Sequence, residues 1–201
     1  MVFDAHAFHH NRIMFHNRQI HYLGFKNPYG SFNMSEVKDF IAKMINRIDI
    51  IILNEQYDAS LLIMMKRFGW KYSDIFYSKM RLVNTFQHPF SDKAAKKLLL
   101  KEYNLRDKIY YDEMNKTWWA QPELQEESFW DEVAYFTTLN KRVMSDECPD
   151  VLKNKHPIIL PVTQYHGSLN LTFIMCRRIL SEWGGLMDCV ISYVFKRGDQ
   201  C

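Results

Sequence analysis

The sequence predicts a helix-rich α/β domain of layered type, on three observations. Ile48, Ile50, Ile51, Ile52 and Leu53 form a nearly unbroken β-branched run, the pattern of a strand buried on both faces. The run passes through a polar, acidic turn, Asn54 to Asp58, into a helical pattern of Leu61, Leu62, Met65 and Phe68 that Gly69 ends. A further helical pattern precedes it, and helix, strand, helix is the order expected where helices cover a sheet.

Composition bounds the partners. At 201 residues, 47% hydrophobic and 15% aromatic, the chain is long enough for one domain with a sizeable core and too apolar for disorder. A net charge of +3 from 26 basic and 23 acidic residues, with no run of one sign, predicts neither nucleic acid nor an anionic membrane surface as a partner. No stretch approaches the ~20 apolar residues that span a bilayer, and MVFDAHAFHH has no apolar signal core, so the chain is expected to carry no address of its own. Cys148, Cys176, Cys189 and Cys201 lack CxxC spacing, which argues against a zinc or thioredoxin motif. Asn33, Asn115 and Asn170 open Asn-x-Ser/Thr sequons, which become glycan sites only in a secretory lumen.

In chain order, His6, His9 and His10 fall at i, i+3, i+4, a spacing that would align metal ligands on a helix. With Asp4 as the sole acidic neighbour, a polar helix without metal is the better reading. Asn27 to Ser31 form a turn cluster. Asn33 or Ser35 then opens a helix whose Val37, Phe40, Ile41, Met44 and Ile45 make one apolar stripe. Beyond the predicted strand, Asp58 is placed to cap the next helix by accepting from the N–H of Ser60 or Leu61. Ser73 is placed to cap a short helix reaching Tyr77.

From Ser91 to Met144 the pattern is helical, broken at Pro122. Ile109, Tyr110, Met114 and Trp118 line one stripe, and Phe129, Val133, Phe136, Leu139 and Val143 another. Cys148 to Tyr165, with Pro149, Pro157 and Pro161, reads as a loop or extended connector, within which Ile158 to Val162 is a weak strand candidate. Helical patterns at about 171–182 and 186–195 close the chain. One apolar strand needs ladder partners on both sides, and the sequence offers few, so either the helices carry the fold with Ile48 to Leu53 as an edge element, or, the favoured expectation, the chain is the C-terminal part of a larger α/β protein.

Separated stretches, in order, resemble the C-terminal half of the galactose-3-O-sulfotransferase family. Leu23, Gly24 and Phe25 match its leucine-glycine-aromatic element, and Glu55 to Ser60 its acidic "EYFDES" turn, followed by an apolar helix and Trp70. Asp74 to Met80 is similar to "DVLYFKL". Tyr110, Tyr111, Met114, Asn115, Thr117, Trp118 and Trp119 match a sequon in the context "LYxHFNxTFW", and Cys176 to Leu180 a "CRRML" element. Ala59 stands where the family has a second acid, Gly69 where it has a cysteine and Tyr22 where it has an aspartate.

The resemblance implies a P-loop-like sulfotransferase fold in the Golgi. The implied reaction moves sulfate from 3′-phosphoadenosine 5′-phosphosulfate to the 3-hydroxyl of a terminal galactose, on a glycolipid such as galactosylceramide or on a glycoprotein, without a metal. The family's membrane anchor and donor-binding loops would precede residue 1, making residues 1–201 a single acceptor-side portion. Under this reading Glu55 is the candidate base or a ligand of a galactose hydroxyl. Asn54 and Asp58 are hydrogen-bond partners, and Tyr57 or Trp70 offers an apolar platform for the sugar ring. Structural capping by Glu55 and Asp58 is the alternative, with the base then upstream. Cys148 and Cys176 coincide with family cysteines, which implies a disulfide in an oxidising lumen, against two buried free thiols. The alternative for the whole chain is a non-catalytic, truncated or divergent fragment that at most associates with a full-length relative.

Overall fold

A computed structural model describes residues 17–26, 31, 33–78, 97 and 104–180. In chain order these form α1 (Arg18–Tyr22), α2 (Met34–Ile45), a 3-10 turn (Asn54–Gln56), α3 (Tyr57–Phe68), α4 (Tyr72–Ile75) and α5 (Leu105–Trp119). A second 3-10 turn (Pro122–Gln125), α6 (Glu127–Arg142), a π turn (Val143–Glu147), α7 (Cys148–Asn154), β1 (Ile158–Leu160), β2 (Leu169–Leu171) and α8 (Phe173–Leu180) follow. The architecture is helix-rich with a small two-stranded sheet, consistent with an α/β class. The chain divides into two compact units, Met1–Ile51 with Thr85–Gln121, and Ile52–Asn84 with Pro122–Cys201.

In the first unit, helix ends satisfy one another. A helix leaves its first N–H groups without intrahelical partners. The Asp107 carboxylate accepts from the N–H groups of Gln19 (3.0 Å) and Ile20 (2.9 Å) at the start of α1, while Asn17 Oδ1 accepts from Arg106 N (2.9 Å) at the start of α5. Asn33 caps α2 as its sequence position predicts, accepting from Ser35 N and Glu36 N. The predicted stripes of α2 and α5 then meet in a core of Ile20, Phe25, Val37, Ile41 and Met114, with Phe40 packed edge-on against Phe25.

The predicted buried strand is not a strand. Ile48 to Leu53 is non-helical chain outside any ladder; Ile48 and Ile51 pack on the first unit's core, and Ile52 is 45% exposed. A strand needs neighbours for its N–H and C=O groups, and among the described residues no segment pairs with it. At its end the Leu53 N–H is taken by the side chain of Ser60, one turn into α3, at 3.1 Å. The apolar run is therefore spent on side-chain packing and on a helix entry.

In the second unit, α3 buries every residue from Ala59 to Met65 and stops at Gly69, whose φ of 66° is the left-handed conformation glycine adopts without a Cβ penalty. Across from it α6 buries Phe129, Phe136 and Leu139, the predicted stripe, each aromatic ring contributing about 1.5–3 kcal/mol on burial. Polar groups fix the packing. Buried Glu132 pairs with Lys66 and accepts from the Tyr72 hydroxyl at 2.9 Å, and Arg67 donates two hydrogen bonds to Glu123 (2.9 and 3.1 Å).

Four boundaries differ from expectation. The short helix α4 is capped not by Ser73 but by Asp74, whose carboxylate accepts from Lys71 N at 2.7 Å, and it ends at Ile75 rather than Tyr77. Cys148–Asn154 is a helix rather than a connector, because Pro149 sits in the first turn where its missing N–H costs nothing. The weak strand candidate does pair, as β1, but ends before Pro161; Ile158 faces Leu171, Ile159 faces Asn170 and Leu160 faces Leu169, antiparallel. Leu171 lies in β2, so the helical pattern from 171 begins at Phe173, and α7 is joined to α8 by a disulfide between Cys148 and Cys176. The pattern at 186–195, the histidines His6, His9 and His10, and most of 91–103 lie outside the described residues.

Candidate active site

At the head of α3, within the second unit, lies a cleft of about 720 Å³ lined by the run from Asn54 to Ala59 together with Tyr77, Ser78, Val133 and Thr137. One wall is the helix entry. The 3-10 turn carries Asn54 and Glu55, both exposed, and the chain turns into α3 at Tyr57 with no side-chain cap at Gln56. The remaining walls come from the segment after α4 and from the Val133 and Thr137 face of α6.

Asp58 is not the cap that its position predicts. Because α3 already begins at Tyr57, Asp58 stands inside the first turn, and its carboxylate turns sideways into the cleft. The Tyr77 hydroxyl donates to Oδ1 at 2.6 Å and Thr137 Oγ1 donates to Oδ2 at 2.6 Å. Such short contacts are typical of hydroxyls bound to a charged carboxylate.

Tyr77 is held at both ends. Its backbone N–H donates to the buried Asn140 side chain at 3.1 Å, and its carbonyl accepts from the same amide at 3.1 Å. Its ring meets Tyr57 edge-on, with centroids 4.8 Å apart. Burial, then the hydrogen bond and charge of Asp58, push the Tyr77 phenol well above its ordinary range. Burial, then the Asp58 charge, raise Tyr57 in the same direction. Both phenols are protonated at neutral pH.

The structure thus brings together Asn54, Glu55, Tyr57 and Asp58 and leaves Trp70 apart. Trp70 lies beyond the far end of α3, a helix of 12 residues and so about 18 Å long, where it packs on Phe68. Tyr77 and Thr137 were not singled out from sequence. The stretch Asp74 to Met80 contains Tyr77, but as a match to a motif rather than a side chain with a partner. Thr137 lies one turn after Val133 on α6, and nothing local marks it.

Among the described residues that line the cleft are two carboxylates, Glu55 and Asp58, and no lysine or arginine. Its volume falls in the range of roughly 300–1,000 Å³ usual for small-ligand sites. With a surround of hydroxyls, amides and aromatic rings, it suits a neutral ligand rich in hydroxyl groups. Among the described residues no His, Cys, Asp and Glu cluster is arranged to hold a metal, and no helix is long and apolar enough to cross a membrane.

None of the sequon residues is among the described residues that line the cleft. Asn33 caps α2, Asn115 is half-buried in the middle of α5, and Asn170 is exposed in β2.

No curated protein and no solved structure matches the chain. A family model described as galactose-3-O-sulfotransferase matches residues 3–159, well over half the chain and inclusive of the acidic turn, Tyr77 and Thr137. The chain belongs to the galactose-3-O-sulfotransferase family.

Proposed function

We propose that this protein is a carbohydrate sulfotransferase of the Golgi lumen, with a P-loop-like fold, and that the cleft at the head of α3 receives the terminal galactose of a glycolipid or glycoprotein. The observation that carries this reading is a saccharide-sized cleft with Glu55 and Asp58 on its wall, in a chain of this family. The donor, 3′-phosphoadenosine 5′-phosphosulfate, is anionic at both phosphates and at the sulfate. The carboxylate-lined cleft does not suit it, so the donor binds elsewhere and presents its sulfuryl group toward the cleft. The Cys148–Cys176 disulfide accords with maturation in an oxidising compartment.

In the proposed reaction the galactose 3-hydroxyl gives its proton to Glu55 as its oxygen bonds to sulfur. The bond from sulfur to the bridging phosphate oxygen breaks, and adenosine 3′,5′-bisphosphate leaves with that electron pair. Glu55 suits the role of base because it lies on the cleft wall, exposed and outside the hydroxyl contacts that occupy Asp58.

The test is transfer of labelled sulfate to a β-galactoside by the full-length protein and its Glu55→Gln variant. Turnover is expected to fall by about 100-fold or more, with an unchanged melting temperature because the change is nearly isosteric and exposed. Near-normal turnover would remove Glu55 as the base, and no transfer to any galactoside by the parent protein would overturn the reading.

A further inference from the structure

We propose that Asp58 is a positioning residue that commits the protons of Tyr77 and Thr137, so that both hydroxyls meet the sugar as hydrogen-bond acceptors and act as acceptor-binding residues. This rests on the acceptor reading of the cleft and specifies how the sugar is recognised.

A hydroxyl has one proton and two lone pairs. In this cleft both protons are already placed, one on each oxygen of the Asp58 carboxylate, at 2.6 Å. What Tyr77 Oη and Thr137 Oγ1 keep are lone pairs, and both residues line the cleft. The arrangement is built rather than incidental. Asn140, 4% exposed, clamps the Tyr77 backbone through two hydrogen bonds, and Tyr57 braces the ring from its edge. Burial and the Asp58 charge hold the Tyr77 proton in place far into alkaline solution.

Such a wall recognises hydroxyl donors. A sugar O–H aimed at Tyr77 or Thr137 finds an acceptor with no competing proton. A sulfate or carboxylate oxygen in the same place finds no donor in these two groups and faces the charges of Asp58 and Glu55. The ligand class is therefore a neutral saccharide read by its hydroxyl groups.

Titration calorimetry of the full-length protein with methyl β-galactoside and its 2-, 4- and 6-deoxy analogues tests this without the sulfate donor. Tyr77→Phe and Thr137→Val each delete one acceptor, and each is expected to weaken the galactoside by about tenfold, the upper end for one neutral hydrogen bond. The signature is in the combination. A deoxy analogue that binds the parent protein about tenfold more weakly should lose nothing further in the variant that lacks its partner hydroxyl. Asp58→Asn should erase the discrimination at one of the two hydroxyls and keep it at the other, because the amide nitrogen donates to one, which then turns its own proton into the cleft, while the amide oxygen still accepts from the second.

If every loss multiplies, the hydroxyls do not touch the sugar and the proposal is wrong, although binding itself leaves the acceptor reading standing. If the parent protein does not bind the galactoside, both fall. Should Tyr77→Phe melt early, exposed Thr137 carries the test through Thr137→Val.

Discussion

Asp58 and Ser60, two residues apart in one helical turn, have roles that spacing alone assigns poorly. A carboxylate at a helix start reads as a cap, and near the N-terminus it gains from the helix dipole whatever else it does. What decides its role is the pair of hydroxyls reaching it from Tyr77 and Thr137, which are 19 and 79 residues away along the chain. Ser60 is fully buried, and its hydroxyl accepts from the Leu53 N–H, satisfying a backbone donor that a neighbouring strand would otherwise take. Ser60→Ala leaves that donor buried and unpaired, so the second unit should lose about 1–3 kcal/mol of stability. Urea unfolding of the two proteins at one pH measures it. An unchanged midpoint would mean that Leu53 finds another partner and that the helix entry does not depend on Ser60.

Elements defined by side-chain period were legible in the sequence, and those that depend on a distant partner were not. The stripes of α2, α5 and α6 appear where Val37, Met114 and Phe136 place them, because a helix closes its own hydrogen bonds and needs only one apolar face. Ile48 to Leu53 has the composition of a strand, but a ladder is a property of two segments, and the second is not among the described ones. Cys148–Asn154 misled for the opposite reason: Pro149 reads as a breaker, yet at a first turn it breaks nothing. Likewise the acidic turn of the cleft was visible as a cluster, whereas Tyr77 and Thr137 enter it only through tertiary packing. The link between α7 and α8 has a separate energetic signature. Cys148 and Cys176 are 28 residues apart, and on the loop-entropy estimate their bond stabilises the fold by about 3–4 kcal/mol. Reduction, or Cys176→Ser, should therefore lower the unfolding free energy by that order. A loss below about 1 kcal/mol would show that packing of the two helices, not the cross-link, holds this part together.

For the whole molecule the near balance of 26 basic and 23 acidic residues leaves no single-sign field to dominate its pH response, so individual groups set the limits. On the acid side, the hydrogen bonds from Arg67 hold the Glu123 carboxyl below its usual range. A depressed carboxylate contributes stability above its unfolded pKa, and that contribution is lost as pH falls through the folded one. On the alkaline side the sign reverses. Burial, followed by the charge and hydrogen bond of Glu132, pushes the Tyr72 phenol far up, and burial raises Tyr57, Tyr77 and Tyr110 in the same direction. The unfolded chain gives up these protons near the ordinary tyrosine pKa of about 10 while the folded protein keeps them. Their stabilisation is complete below that pH and declines as pH rises toward the folded values. Tyr72 is 3% exposed and the folded protein keeps its phenolic proton, so as the unfolded chain loses that proton its share approaches about 1.4 kcal/mol per pH unit once pH is about a unit above ~10. Tyr72→Phe lowers stability at neutral pH by removing a hydrogen bond to Glu132, but above pH ~10 its stability should fall less steeply than that of the parent protein by about this slope. Urea unfolding at intervals from about pH 8 to 11 separates the two effects. Parallel pH curves would mean that the Tyr72 phenol ionises as readily in the folded protein as in the unfolded chain, and that Glu132 is balanced by Lys66 alone.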